Sequence, residues 1–158
     1  MDLLVKLYDL APNKALDARL DDAGVTLRRA LPPELAAITE WICRHFSAGW
    51  ASEATVALCR QPVSCFIAVR HGQLLGFACY DATARGFFGP TGVDEAERSR
   101  GIGHALLLAC LNDMRAQGYA YAAIGDVGPV EFYARTVGAT PIADSTPGIF
   151  AGLLKAPS

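Results

Sequence analysis

The chain has 158 residues, 52% hydrophobic and 19% charged, and a formal net charge of −2. That balance excludes a disordered chain, and with no block of basic residues nothing points to a nucleic-acid partner. No apolar run reaches the roughly 18 residues that span a bilayer, and Met1–Asp9 is too short and too charged for a secretion signal, so no membrane partner is expected.

In chain order, Leu3–Leu10 reads as a short strand and Pro12–Ala23 as a short helix stopped at Gly24. Val25–Ala30 is a strand candidate. Pro32 opens a helix in which Leu35, Ile38, Trp41, Ile42 and Phe46 recur at helical spacing, ended by Ser47-Ala48-Gly49. Trp50 is placed on the loop that follows, and the stretch to Arg60 is read as a second short helix. Cys65–Val69 is a buried strand. His71-Gly72-Gln73 makes a tight turn, Leu74–Asp81 returns antiparallel, and Phe87–Val93 is the next strand. Gly89-Pro90 inside that strand marks a bulge or a loss of pairing. A long apolar helix, Gly101–Gln117, ends at Gly118 and leads through a right-handed crossover to a parallel strand, Tyr119–Gly125. Pro129 opens a last helix, Val130–Val137, closed by Gly138. Thr140–Ile142 and Ile149–Leu154 are expected as closing strands, whose apolar surface is compatible with a homodimer. The whole reads as an α/β (α+β) fold with a mixed sheet of six or seven strands and helices on both faces.

The five cysteines, Cys43, Cys59, Cys65, Cys79 and Cys110, are odd in number and lack metal-ligand spacing. No disulfide framework and no metal are expected, and a reducing, cytoplasmic setting fits best.

The chain turns on Arg98-Ser99-Arg100-Gly101-Ile102-Gly103-His104, between a strand and a buried helix. A helix N-terminus carries about half a positive charge, so arginines there are unfavourable by roughly 0.3–1 kcal/mol each. Each glycine costs about 1 kcal/mol against alanine in a helix interior. Helix stability does not ask for this arrangement, whereas a bound anion explains it: glycines let backbone N–H groups close on phosphate oxygens and arginines add charge. On these residues alone the alternative is a solvated turn in which the arginines pair with Asp94, Glu95 and Glu97.

With Phe132-Tyr133-Ala134-Arg135-Thr136-Val137-Gly138 at its place downstream, the sequence resembles the GNAT superfamily of acetyl-CoA-dependent N-acetyltransferases. Arg98-Ser99-Arg100-Gly101-Ile102-Gly103 fits that family's Arg/Gln-x-x-Gly-x-Gly/Ala signature, preceded by a strand ending at Val93. The resemblance runs from Val25 onward, so residues 25–158 are expected to be the acetyltransferase domain and residues 1–24 an N-terminal extension of a short strand and helix. It implies a sheet splayed between the family's fourth and fifth strands, here Phe87–Val93 and Tyr119–Gly125.

The resemblance also implies acetyl-CoA as co-substrate, with its pyrophosphate on the loop of Arg98, Ser99, Arg100, Gly101, Ile102, Gly103 and His104. Its pantetheine arm would run along Thr91, Gly92 and Val93, the Thr91 N–H would face the thioester carbonyl, and Tyr133 would meet the departing sulfur as general acid. Where the family often has Asn, Ala and a basic glutamate, this chain has Asp126, Pro129 and Phe87. The base is therefore sought among Asp81 first, then Glu131, Asp126 and Asp94. Trp41, His45, Trp50, Glu53, Tyr80 and Phe88 are the expected acceptor walls. The expected activity is direct transfer of acetyl to a primary amine of a small molecule. The alternatives are an acyl-CoA sensing module with little turnover and a protein N-acetyltransferase.

Overall fold

The computed structural model describes residues 1–155; the last three residues of the expected domain range, 156–158, lie outside the described residues. Seven strands form one mixed sheet: Leu3–Lys6 (β1), Thr26–Arg29 (β2), Cys65–Arg70 (β3), Gln73–Tyr80 (β4), Phe87–Val93 (β5), Tyr121–Ile124 (β6) and Thr140–Pro141 (β7). Their order is β2-β3-β4-β5-β6-β1-β7. Successive side chains of a strand point to opposite faces. In β4, Phe77 and Cys79 enter one core while Ala78 and Tyr80 enter the other, which is why both faces are covered.

Helices Leu35–His45 (α2) and Ala48–Leu58 (α3) fill one core with Ile38, Trp41, Ile42, Ala54 and Leu58. Helices Lys14–Asp22 (α1) and Ile102–Ala116 (α4) fill the other with Leu16, Leu20, Leu106, Leu107 and Leu111. A fifth helix, Val130–Val137 (α5), ends at Gly138, whose φ of 65° is the left-handed conformation that glycine adopts at low cost. The mixed architecture expected from the sequence is the one observed, including the parallel β5–β6 pair joined through α4.

Residues 1–24 are built into this frame. β1 lies between β6 and β7, and α1 packs against α4. Three local expectations are corrected. The first strand stops at Lys6, where a 3-10 turn begins. Trp50 is not on a loop: Ser47 caps α3, its hydroxyl accepting the Trp50 N–H at 3.1 Å, so Trp50 sits in the first helical turn. The segment Ile149–Leu154 is not a strand; Gly148–Phe150 forms a 3-10 turn instead, with Gly148 at φ 58°. No helix among the described residues is long and apolar enough to cross a membrane.

Two ion pairs pin the β2 end of the sheet. Arg29 reaches Asp113 on α4 through both guanidinium nitrogens, at 2.8 and 2.7 Å. The Tyr80 hydroxyl and the Gln117 amide also bond Asp113. Burial alone would raise the Asp113 carboxyl, but the bonds from Arg29 and Tyr80 outweigh it and hold it below its usual value. Arg28 grips Glu34 at 2.8 and 2.6 Å, and the Leu31 N–H adds a third bond at 2.8 Å. The Arg28 guanidinium, chiefly through those bonds, lowers Glu34 to about 2. A depressed carboxyl stabilises the fold fully above its unfolded pKa and ceases to as pH falls through the folded one. Between pH 4.5 and 2, Glu34→Gln should therefore lose less stability than the parent. The check is the urea midpoint measured across that range, and the difference should shrink in high salt because both partners are partly exposed.

Candidate active site

β5 pairs with β6 only at Phe87–Ala123 and Phe88–Ile124. Its partnership with β4 slips at the same place: Ala78 faces Thr91 and Tyr80 faces Phe88, so one residue too many lies on β5, around Gly89 and Pro90. Gly89 takes a φ of 120° there. This is the bulge the Gly-Pro pair foretold, and beyond it β5 leaves β6.

The splay opens a cavity of about 800 Å³. One side is β5 from Gly89 to Val93, with backbone polarity set by its pairing. The Asp94 N–H donates to the Leu75 carbonyl at 2.8 Å. Because hydrogen-bonding direction alternates along a strand, the N–H groups of Thr91 and Val93 face away from β4 and into the cleft. The Val93 carbonyl agrees with that direction, since it accepts from Arg98 Nε at 3.3 Å.

At the end of β5 lies the loop into α4. Ser99 has φ 66° and Gly101 φ 88°, and no side chain caps the first turn of α4. Among the described residues, the amides of Ser99 through His104 have no backbone or side-chain acceptor. The first turn of a helix always leaves such donors over, and here they border an open cavity at its positive end. Arg98, Ser99, Gly101, Ile102, Gly103 and His104 all line the cavity.

Arg100 does not. Its guanidinium lies 3.4 Å from Glu97, beside a smaller depression shared with Arg19 and Arg70. The loop is thus divided: its backbone faces the cleft while Arg100 pairs with an acid, as the solvated-turn alternative has it. Glu97 is also held by Arg70, whose hydrogen bonds lower its carboxyl below the usual range. His104 is kept less basic than usual by burial first, then by the charges of Arg19 and Arg135.

Tyr133 enters the cleft from α5. It is buried, packs edge-on against Phe88 at 6.3 Å, and among the described residues its hydroxyl has no hydrogen-bond partner. Burial pushes the phenol up to about 12.

The far side of the cavity is aromatic. Phe46 and Trp50 stack at 5.0 Å, and the Phe46 ring lies so close over Gly92 that a β-carbon there would enter it. Phe87 and Phe150 both crowd the Cα of Gly125, where an added β-carbon would lie 3.0 and 3.2 Å from them. Glu53 lines the same region, its Oε1 accepting the Thr83 hydroxyl.

Of the expected acceptor walls, Trp50, Glu53 and Phe88 are here. Trp41 is core, with His45 stacked on it at 4.2 Å. Tyr80 points to Asp113 on the other face. Asp81 is set apart from the cleft and is withdrawn as a base. Its Oδ1 accepts the Gly86 N–H and its Oδ2 the Tyr119 hydroxyl, both at 2.7 Å, which closes the β4–β5 turn and directs both oxygens into that turn, and Asp81 is not among the residues that line the cavity. Asp94 caps a 3-10 turn and faces His45 at 3.8 Å, Glu131 is exposed, and Asp126 reaches the cavity from an exposed position. Phe46, Thr83 and Phe150 were missed. Phe46 carried a core-type helical signal, and the other two come from turns whose partners are distant in sequence.

Similarity agrees with this geometry. The profile of the Acetyltransferase (GNAT) family matches residues 35–139. A search of curated proteins gives no significant match. Among solved structures, the GCN5-related glucosamine N-acetyltransferase region of a fungal multi-domain GH3 β-N-acetylglucosaminidase superposes with a TM-score of 0.71 at 18% identity, covering 86% of this chain and 19% of that one. An aminoglycoside acetyltransferase from an uncultured soil metagenomic sample, with trehalose, gives 0.59 at 17% identity over 85% of this chain and 99% of the other. A GNAT family N-acetyltransferase from Escherichia coli, in complex with CoA, gives 0.54 at 22% identity over 71% and 67%. The chain thus spans about a fifth of the length of the fungal protein. At such identities these likenesses concern the fold, whereas the profile covers well over half of the sequence, and the chain belongs to the acetyltransferase (GNAT) family.

Proposed function

We propose that the chain is an acetyl-CoA-dependent N-acetyltransferase that acetylates a primary amine of a small molecule. The observation that carries the reading is the convergence, in one cavity, of an open strand edge, an uncapped helix N-terminus and a buried tyrosine whose hydroxyl has no protein partner among the described residues.

Each feature has a use for a pantetheine thioester. The amides of Ser99–His104 and the dipole of α4 suit a pyrophosphate, with Arg98 as the near cation. The edge of β5 at Thr91 and Val93 can pair with the amides of an extended arm as a strand would. The Thr91 N–H then reaches the thioester carbonyl, and a preorganised donor to an oxygen gaining charge contributes about 3–4 kcal/mol. The amine attacks the carbonyl carbon directly: the C–N bond forms, the C–S bond breaks, and sulfur leaves with the electron pair. Tyr133 serves that sulfur. Its phenol at about 12 lies well above an ordinary thiol near 8.5, so Tyr133 stabilises the thiolate as a hydrogen-bond donor rather than by complete proton transfer.

The test is release of free CoA thiol from acetyl-CoA by the purified chain across a panel of amines. Amine-dependent release above background is the expected result. Tight acetyl-CoA binding with no amine-dependent release would instead favour the sensing module.

A further inference from the structure

Resting on that reading, we propose that the acceptor is an arylalkylamine: one primary ammonium on a short alkyl chain attached to an aromatic ring, with Glu53 holding the nitrogen. Three carboxylates line the cavity, Glu53, Glu97 and Asp126. Glu97 is taken by Arg70 and Arg100 at the loop end, away from the acceptor side. Asp126 is exposed and offers no desolvated partner. Glu53 is half-buried, and only one of its oxygens is engaged, by Thr83; among the described residues Oε2 has no partner.

The cavity that Glu53 lines is walled by rings. Trp50 is one helical turn before it on α3, and Phe46 stacks on Trp50. Phe87 and Phe150 close on Gly125 at the mouth of the splay. Phe87 lines the cavity from the start of β5, so a ring and not a carboxylate faces it there, and Glu53 on α3 is the half-buried carboxylate with an oxygen to spare. A substrate with several ammonium groups would have one half-buried carboxylate for all of them and would desolvate the rest against apolar walls, a cost that cation–π contact only partly offsets. An aromatic body with a single cation matches both the rings and the one free oxygen. Glu53 also stands ready to accept the proton that the ammonium must lose before attack, which passes from nitrogen to the carboxylate oxygen and on to water.

The experiment is steady-state thiol release by the unaltered chain with phenethylamine, tryptamine, n-butylamine, spermidine and kanamycin. The kcat/KM for phenethylamine or tryptamine should exceed that of each of the others at least 10-fold. Equal or better use of spermidine, kanamycin or n-butylamine overturns the acceptor class while leaving acetyl transfer standing. No release with any amine removes acetyl transfer itself, and the acceptor class with it. Glu53→Gln should raise KM for phenethylamine at least 10-fold, with the Kd for acetyl-CoA unchanged by calorimetry. An unmoved KM in that variant would remove Glu53 from the amine site.

Discussion

Tyr133→Phe is expected to lower kcat roughly 10–100-fold while leaving the Kd for acetyl-CoA within twofold. The size follows from what is removed. A hydrogen bond to a charged group contributes about 1.5–3 kcal/mol, and each 1.36 kcal/mol is tenfold in rate. Only the departing thiolate gains that bond fully, so the loss should fall on turnover and not on binding. The ring itself stays, and with it the edge contact to Phe88, so the fold should not weaken by more than the solvation of one hydroxyl. The pH dependence supplies a second check. With the phenol pushed up to about 12 by burial, Tyr133 remains protonated through the neutral and mildly alkaline range. The parent should show no loss of kcat from this group below about pH 10. Equal kcat for parent and variant in single-turnover experiments would remove Tyr133 from the chemistry, and a fall in affinity equal to the fall in rate would make it a binding residue only.

The sequence disclosed the loop, the bulge and the tyrosine of the candidate site far better than its aromatic side, for a physical reason. The loop from Arg98 to His104, the bulge at Gly89-Pro90 and the helix carrying Tyr133 are local: each depends on neighbours a few positions away, and glycine and proline mark them. The strand alternation that separates Phe77 from Ala78, and so puts helices on both faces, is equally local. The aromatic side of the cavity is assembled from α3, the β4–β5 turn, the start of β5 and a 3-10 turn near the C-terminus. No periodicity links Glu53 to Thr83 or Phe87 to Phe150. Asp81 misled because a carboxylate at the end of a strand looks the same in sequence whether it faces a substrate or closes a turn. Only its positive φ of 51° and its two donors distinguish the cases. Arg100 misled differently. It sits inside a phosphate-type signature whose other residues line the cavity, yet its own side chain turns to Glu97 on the other side.

Gly101→Ala should be among the most damaging single-methyl changes in the chain, and the reason reaches from the loop to the N-terminal helix. Gly101 has φ 88°, a conformation that costs an L-residue about 1–2 kcal/mol. A β-carbon there would also lie 2.5 Å from Leu16 Cδ1 and 2.5 Å from Arg19 Nη2, both on α1. Leu16 is buried in the core that α1 shares with α4, so it cannot simply swing aside. Either α1 lifts or the loop shifts, and each moves the amides of Ser99–His104 away from where a phosphate would sit. We expect a loss of roughly 2–4 kcal/mol in unfolding free energy and at least a 10-fold rise in the Kd for CoA. Gly118→Ala supplies the internal reference. Gly118 has a comparable φ of 101°, but nothing lies within 4 Å of its missing β-carbon. It should incur the backbone cost alone, and its CoA affinity should be that of the parent. The difference between the two variants in urea unfolding isolates the clash with α1. Truncating Leu16 to alanine in the Gly101→Ala background should then be less destabilising than the same truncation in the parent, because it clears the space the new methyl needs. If the two glycine variants lose equal stability and bind CoA equally, α1 does not brace the loop, and the first 24 residues serve the sheet through β1 without serving the site.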